Sequence, residues 1–303
     1  MNNEITSAVS LKRLLRWYVI VATGLGAMAL LSVLFIKLFG NTIAYETAIS
    51  FLEYFLQKEF FICLFVGFIA QMIDGTLGMA YGVSSTSFLM STGISPAVAS
   101  TSVHIAEIFT TGISGFSHWK LGNVDKEMLK KLAIPGAIGA AIGAYFLISF
   151  DGNIIKPYVS AYLMIMGIII IRKAFKKVIA FKEYKKVSWL ALLGGFVDAS
   201  GGGGWGPVVT TTLIGSGNNP KLTIGTVNAA EFLVTLTASG IFTLFIGINS
   251  WLVIAGLIAG GVIAAPLAAY ICHKINARAA MAMVGLLIIF LSIRTILKSF
   301  KLI

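Results

Sequence analysis

Asp198-Ala-Ser-Gly-Gly-Gly-Gly-Trp-Gly-Pro207 lies in the middle of an apolar run that extends from residue 188 to 214. Four consecutive glycines do not favour a helix, and proline lacks the backbone N–H that a helix interior uses. We therefore predict that the chain unwinds at this stretch. If the run enters a lipid bilayer, protein or a watery cavity must cover the unwound backbone, because hydrocarbon offers no hydrogen-bond partners.

The composition around this stretch is that of a membrane protein. Of the 303 residues 57% are apolar and only 12% are charged, and the mean hydropathy is +0.91; soluble chains carry about 25% charged residues. Apolar runs recur at the length needed to cross about 30 Å of hydrocarbon. They cover residues 17–36, 60–92, 97–117, 132–150, 157–171, 188–214, 223–246, 251–272 and 279–297. We predict an all-α, multi-pass membrane protein, with lipid as its main surroundings.

The net charge of +11 follows from residues between these runs. Seven of the 23 Lys and Arg residues lie between Arg172 and Lys186. Such clustering is typical of membrane topology, so we expect no nucleic-acid partner. Cys63 and Cys272 have no metal-type or redox-type spacing and are interpreted as packing residues. We expect no cofactor and no bound metal.

Four regions are predicted along the chain. Residues 1–59 hold an N-terminal transmembrane helix, Trp17–Ile36, and an interfacial linker; the helix is too long for the apolar part of a signal peptide. Residues 60–175 form a first repeat, 176–187 a basic cytoplasmic linker, and 188–303 a second repeat.

The repeats are visible when the sequence is shifted against itself by 124 residues. Residues 74–115 and 198–239 then share 11 identities in 42 positions, where ordinary composition gives about three by chance. The polar matches are not explained by apolar composition. They are Asp74 with Asp198, Thr86 with Thr210, Pro96 with Pro220, Glu107 with Glu231, and Thr111 with Thr235. The chain therefore carries an internal duplication.

The orientation of the copies depends on whether the broken runs cross the bilayer or re-enter it. If they re-enter, each copy has three full crossings, the copies are inverted, and 17 of 23 Lys and Arg face the cytoplasm. If they cross, the copies are parallel and 16 of 23 face it. We favour inversion because residues 119–131 are basic while the corresponding loop, 247–250, is uncharged. The basic residues of the C-terminus, 294–301, argue the other way.

The most informative side chains are carboxylates inside apolar runs, which are costly there and rare without a purpose. They come in corresponding pairs, and Glu107 and Glu231 lie about three turns into the helices that start at Pro96 and Pro220. A polar residue precedes each glutamate by three positions on the same helix face. The candidate ion-coupling residues are Asp74, His104, Glu107, Asp198, Asn228 and Glu231. A purely structural role, tying helices to the broken loops, is equally compatible with them.

No Lys or Arg lies in the middle of any run, so an anionic substrate would need other donors. Glycine-rich turns, hydroxyls and helix starts supply backbone N–H groups, O–H groups and positive dipole ends. The candidate substrate-binding residues are Gly78, Gly82, Ser84, Ser85, Gly202, Gly203, Gly204, Thr210 and Thr226. Glycines such as Gly139 and Gly143 are interpreted as helix-packing residues.

Enzyme motifs are missing from the sequence. There is no GxxxxGK[ST] or HExxH pattern, so we expect neither a nucleotide site nor an enzyme. A secondary transporter is the preferred interpretation. A passive channel and a structural subunit of a membrane complex remain as alternatives, and a homo-oligomer is left open.

Two strings carry a resemblance to a known family. They are MIDGTLGMAYGVSSTSFLMSTGISPAVASTSVHIAEIF at 72–109 and FVDASGGGGWGPVVTTTLIGSGNNPKLTIGTVNAAEF at 196–232. Each places a broken apolar segment before a helix start, and the whole arrangement resembles the sulfite exporter TauE/SafE family over residues 60–297. The resemblance implies a cytoplasmic-membrane permease for small anions such as sulfite or organosulfonates. The first copy departs from the pattern, since Leu77-Gly-Met-Ala80 replaces the glycine run.

Overall fold

The computed structural model describes residues 37–38, 40, 42–120, 122–175, 186–271 and 277–302. The chain divides into two compact units, Met1–Lys58 and Glu59–Ile303. The predicted helix at 17–36 and residues 176–185 of the predicted linker lie outside the described residues, as does Cys272. Cys63 is a buried free thiol, in agreement with a packing role.

The described residues form helices, turns and loops without a strand, which confirms the all-α prediction for this part of the chain. Helix α1 forms the described part of the first unit, and ten α-helices and a five-residue π-helix follow it. The α-helices are α1 Thr42–Phe55, α2 Lys58–Leu77, α3 Tyr81–Thr92, α4 Pro96–Lys120, α5 Lys126–Ile148, α6 Gly152–Phe175, α7 Val187–Gly201, α8 Thr211–Gly215, α9 Pro220–Ile246, α10 Trp251–Ile271 and α11 Ala277–Ser299; the π-helix is Gly206–Thr210.

Five of the described helices are long and apolar enough to cross a membrane. They are Lys58–Leu77, Lys126–Ile148, Gly152–Phe175, Leu222–Ile246 and Arg278–Ser299. Helix α4 is long enough but more polar, because serines, threonines, a histidine and a glutamate occupy its buried face. Since polar groups in lipid are costly, these residues require protein neighbours.

Both predicted breaks are present but shorter than the quoted stretches. Asp74 and Asp198 remain helical, and only residues 78–80 and 202–204 leave the helix. Ala80 has a φ of 95°, which is unusual for a residue with a side chain. Pro207 lies in the first turn of the π-helix, where its missing N–H costs nothing.

Helices α4 and α9, which follow the two breaks, pack antiparallel. The residue numbers of neighbouring positions rise in one helix while they fall in the other. The contacting pairs are His104 with Phe242, Gly112 with Phe232, Gly115 with Ala229, and His118 with Gly225. The starts of these helices are 124 residues apart, since 220 − 96 = 124. Helices α4 and α9, whose starts correspond under the shift of 124, therefore run in opposite directions.

The first helix of each predicted repeat packs against a helix of the other: α2 packs against α10, and α7 packs against α5. Helices α2 and α10 run parallel: Cys63 faces Gly256 and Gly75 faces Ala268, each 193 positions apart. Helices α7 and α5 pack in the same way at Gly195 and Gly139, where added Cβ atoms would meet the partner helix backbone. These close glycine contacts agree with the predicted packing role of such residues.

Each half begins with a helical hairpin. Helix α3 is antiparallel to α4, because Gly82 and Glu107 lie opposite each other about equally far from the turn at 93–95. Helix α2 runs the same way as α10, which turns back from α9 after the short turn at 247–250. Helix α2 therefore runs opposite to α9 and the same way as α4. Helices α2 and α3 thus turn back on each other at the break.

Candidate functional site

The two breaks meet in the buried centre of the second unit. A Cβ on Gly82 would lie 2.8 Å from the Cα of Gly203, and a Cβ on Gly206 would lie 2.6 Å from the Cα of Met79. These two contacts correspond under the shift of 124, since 82 + 124 = 206 and 79 + 124 = 203. The residue order runs in opposite directions in the two segments, so the breaks cross antiparallel.

Asp74 and Asp198 each join the two arms of a hairpin. Oδ1 of Asp198 accepts a hydrogen bond from the N–H of Trp205 at 2.9 Å, and Oδ1 of Asp74 accepts a longer one from Tyr81 at 3.5 Å. Each aspartate therefore caps the helix that begins seven residues later. The aspartates are 6% and 2% exposed, respectively, so the caps are buried.

The second break is held by hydroxyl groups from the first half. The hydroxyl of Tyr162 on α6 donates to the carbonyl of Gly203 at 2.6 Å, and the hydroxyl of Thr86 on α3 donates to the carbonyl of Gly202. The corresponding hydroxyl, Oγ1 of Thr210, is fully buried and has no hydrogen-bond partner. Leu286 stands where the shift would place a counterpart of Tyr162. The two breaks are thus held differently.

Helix α4 is tied to the second hairpin by two polar contacts. Nε2 of His104 lies 3.2 Å from Oδ2 of Asp198, and the Ser100 hydroxyl donates to the carbonyl of Ala199 at 3.1 Å. His104 is completely buried. A buried imidazole beside a buried carboxylate forms either an ion pair or a neutral hydrogen-bonded pair.

The glutamates are buried beside the same centre. Glu107 is 2% exposed, its Oε1 lies near Gly82, and its Oε2 has no hydrogen-bond partner. Glu231 is 8% exposed and lies within electrostatic reach of Asp74, Glu107 and Asp198. The structure therefore brings the four predicted carboxylates together, and it leaves one oxygen of Glu107 without a partner.

The predicted hydroxyl and amide residues divide into two groups. Ser85 and Thr210 keep free buried hydroxyls, whereas Ser84 donates to the Ala80 carbonyl in its own helix. Thr226 accepts from the N–H of Asp125 at 2.9 Å, and the amide of Asn228 donates to Ser114 at 2.9 Å. Thr226 therefore stabilises the contact of α9 with the loop before α5, Asn228 stabilises the contact of α9 with α4, and each already has a partner.

Three further residues of this centre are not among the predicted site residues. Tyr162 and Ser100 bond backbone carbonyls of the second hairpin, and the hydroxyl of Tyr81 donates to the carbonyl of Leu257 at 3.2 Å. Tyr81 and Ser100 lie inside the string at 72–109 that carries the family resemblance, whereas Tyr162 lies in an apolar run without a motif. The sequence gives one indication of Tyr162, because a tyrosine hydroxyl in the middle of a transmembrane run needs a hydrogen-bond partner.

Paired helical hairpins that meet inside an apolar bundle are a membrane transporter architecture, and the comparisons with known proteins agree with this class. The chain belongs to the sulfite exporter TauE/SafE family, whose profile matches residues 63–295. It is also 43% identical over 252 residues to the probable membrane transporter protein YtnM of Bacillus subtilis (strain 168), a match that covers 80% of this chain and 84% of that protein. No solved structure matches the chain.

Proposed function

We propose that this protein is a secondary transporter of small anions, of the sulfite or organosulfonate type, in the cytoplasmic membrane. The observation that carries the proposal is the antiparallel contact of the two breaks, Gly82 with Gly203 and Met79 with Gly206, beside four buried carboxylates. The family name supports the substrate class, and the transporter class follows from membership.

The two halves are proposed to be inverted repeats with re-entrant hairpins. Antiparallel packing of α4 and α9 supports inversion, because repeats related by an axis along the membrane normal would place these helices parallel. The opposite directions of α2 and α3 support re-entry. In this arrangement one hairpin enters from each face of the membrane, and their tips block the path at the centre.

The hairpin tips are proposed to bind the anion. Helix α3 and the π-helix begin at the centre, so their positive dipole ends and backbone N–H groups point towards it. The free hydroxyls of Ser85 and Thr210 are further donors, one in each half. Neutral donors suit a substrate that must leave again, because they hold an anion without a fixed opposite charge.

The buried carboxylates are proposed to couple transport to a cation or a proton. An anion near four ionised carboxylates would be repelled, whereas protonated or cation-bound carboxylates would admit it. Glu107 lies beside the first hairpin with its buried Oε2 unpartnered, so its charge acts on whatever site holds the coupled ion.

The test is anion flux in liposomes that contain the purified protein. Labelled sulfite and methanesulfonate are offered with and without an imposed proton gradient, beside protein-free liposomes. Gradient-dependent accumulation supports a secondary transporter. Flux that follows only the anion's own gradient favours the passive channel, and no flux across a broad anion panel favours a structural subunit.

A further inference from the structure

We propose that the ion coupled to transport is a proton and that it is held between Nε2 of His104 and Oδ2 of Asp198. This inference rests on the proposed transport function and deepens it, because it names the ion and the two atoms that hold it.

The first step concerns the other ring nitrogen. Nδ1 of His104 lies 2.7 Å from the carbonyl oxygen of Ser100. A carbonyl only accepts hydrogen bonds, so Nδ1 carries a hydrogen. The Ser100 hydroxyl oxygen also lies 3.2 Å from Nδ1, but its hydrogen goes to the carbonyl of Ala199 at 3.1 Å, so this oxygen can only accept from Nδ1. The tautomer of the imidazole is therefore fixed by its own helix and by α7.

The second step is a count of protons between the two side chains. With Nδ1 protonated, a neutral imidazole presents only a lone pair at Nε2, and a carboxylate presents only lone pairs at Oδ2. The distance of 3.2 Å between these atoms is a hydrogen bond only if one more proton is present. That proton lies on Nε2, facing a carboxylate, or on Oδ2, facing a neutral ring. In both forms the pair carries no net charge.

The surroundings of the pair make the loss of this proton costly. His104 is 0% and Asp198 2% exposed, so water does not screen the pair. The titratable groups that face the pair from packed elements are Glu107 on α4, Tyr162 on α6 and Glu231 on α9. Loss of the proton leaves Nε2 and Oδ2 as two acceptors in contact, which costs free energy in a buried site.

The hydrogen bond links α4 to the first arm of the second hairpin. When the proton leaves, this link breaks, and the hairpin is held to α4 by the contact of Ser100 with Ala199. Asp198 still caps Trp205 through its other oxygen, so the hairpin itself stays intact. Proton release is thereby coupled to movement of the hairpin, and each cycle takes one proton from one side of the membrane and gives one to the other.

The residue at the corresponding position in the other half determines how many such proton sites each chain has. Asn228 takes the place of His104, and its amide, which does not titrate, donates to Ser114. The duplication therefore yields one such proton site per chain. A monovalent anion that moves with one proton is transported without net charge, and each pH unit across the membrane then supports about tenfold accumulation.

The test compares His104→Gln and Asp198→Asn with the parent protein in liposomes. The side-chain amide of Gln or Asn supplies a donor for the bond between positions 104 and 198 and cannot exchange a proton in the assay. The probe is methanesulfonate, which stays ionised throughout the pH range used. We expect both variants to keep the parent's midpoint of thermal unfolding in detergent, and to lose gradient-driven accumulation of methanesulfonate together with the proton movement reported by an internal pH dye.

The control is Ser102→Ala, since the Ser102 hydroxyl bonds only its own helix at Val98; it should behave like the parent. Gradient-driven accumulation in His104→Gln would overturn the inference while leaving the transporter intact. A lower unfolding midpoint in both variants but not in the control would show a structural role instead and also overturn it. If the parent exchanges neither methanesulfonate nor sulfite, the proposed function itself fails.

Discussion

Gly203 shows how residue-scale constraints shape the centre. Its φ of +141° is one that L side chains rarely adopt, and an added Cβ would overlap the backbone of Gly82 and Val83. The glycine run is therefore needed for close approach of two backbones as well as for turning the chain. Gly82, which lies against Gly203, also lies beside Oε1 of Glu107. The shape of the hairpin tips and the position of the Glu107 carboxylate therefore depend on each other.

Gly203→Ala tests this close approach. Backbone strain costs about 1–3 kcal/mol, and the overlap with the first hairpin adds to it. We expect a lower midpoint of thermal unfolding in detergent and loss of anion flux. The control is Gly240→Ala on α9, where nothing lies within 4 Å of the added Cβ. An alanine there should stabilise the helix by up to about 1 kcal/mol. Equal unfolding midpoints for the two variants would contradict the packing described above.

Glu107→Gln and Glu231→Gln test the proposed coupling role. Glutamine keeps the shape of the side chain but cannot carry a negative charge or exchange a proton. We expect gradient-driven accumulation to fall at least about tenfold, equivalent to 1.4 kcal/mol, with an unchanged amount of protein in the membrane. Glu127→Gln, in the first turn of α5 and exposed, is the matched control. Loss of protein in step with loss of flux would instead support a structural role.

At the scale of elements, the hairpins show what the sequence could predict. The breaks, the helix starts at Pro96 and Pro220, and the burial of the carboxylates follow from local patterns, and the structure has all of them. The breaks are shorter than the glycine-rich stretches because each aspartate stays helical and caps the next arm from seven residues away. This capping depends on the geometry of the turn, which composition does not encode.

The contacts between the halves could not be predicted in the same way. His104 and Asp198 are 94 positions apart, and Tyr162 reaches Gly203 across 41. Such pairs depend on which helices become neighbours, and internal symmetry gave only a partial guide. It relates Glu107 to Glu231. In place of His104, however, it gives Asn228, and Thr210, which corresponds to Thr86, has a hydroxyl without a hydrogen-bond partner. The two halves therefore differ in bonding at these positions.

Tyr162→Phe tests how the second hairpin is held. The change removes the donor to the Gly203 carbonyl and leaves that carbonyl buried without this partner, which costs about 1–3 kcal/mol. We expect a lower unfolding midpoint and slower anion exchange. Tyr158→Phe, about one turn earlier on α6 with a side chain that is 70% exposed, should change neither quantity. An unaltered Tyr162→Phe protein would mean that Thr86 alone suffices to hold the break.

At the scale of the whole molecule, the charges separate towards the two ends of the bundle. The bond between Asp125 and Thr226 places the loop before α5 at the end where α9 begins, near the turn at 216–219. The described basic residues at this end are Lys120, Lys126, Lys130, Lys131, Arg172, Lys173, Lys186 and Arg278. Lys156, which donates to the carbonyl of Gly93, marks the other end, together with Arg294, Lys298 and Lys301. The positive-inside rule therefore predicts that the 216–219 turn faces the cytoplasm.

Single cysteines at Thr92 and Ser216, positions related by the shift of 124, test inversion and re-entry together. The background is Cys63→Ala with Cys272→Ala, and a membrane-impermeant thiol reagent is added to intact cells and to inside-out vesicles. Inverted re-entrant hairpins open to opposite faces, so Thr92→Cys should react in cells and Ser216→Cys only in vesicles. Parallel repeats would place both cysteines on one face, since corresponding turns would then share a side.

Exposed Glu127→Cys, beside the basic loop, controls for the cytoplasmic face and should react only in vesicles. Reaction of Thr92→Cys and Ser216→Cys from the same side would exclude inversion and, with it, hairpins that meet from opposite faces.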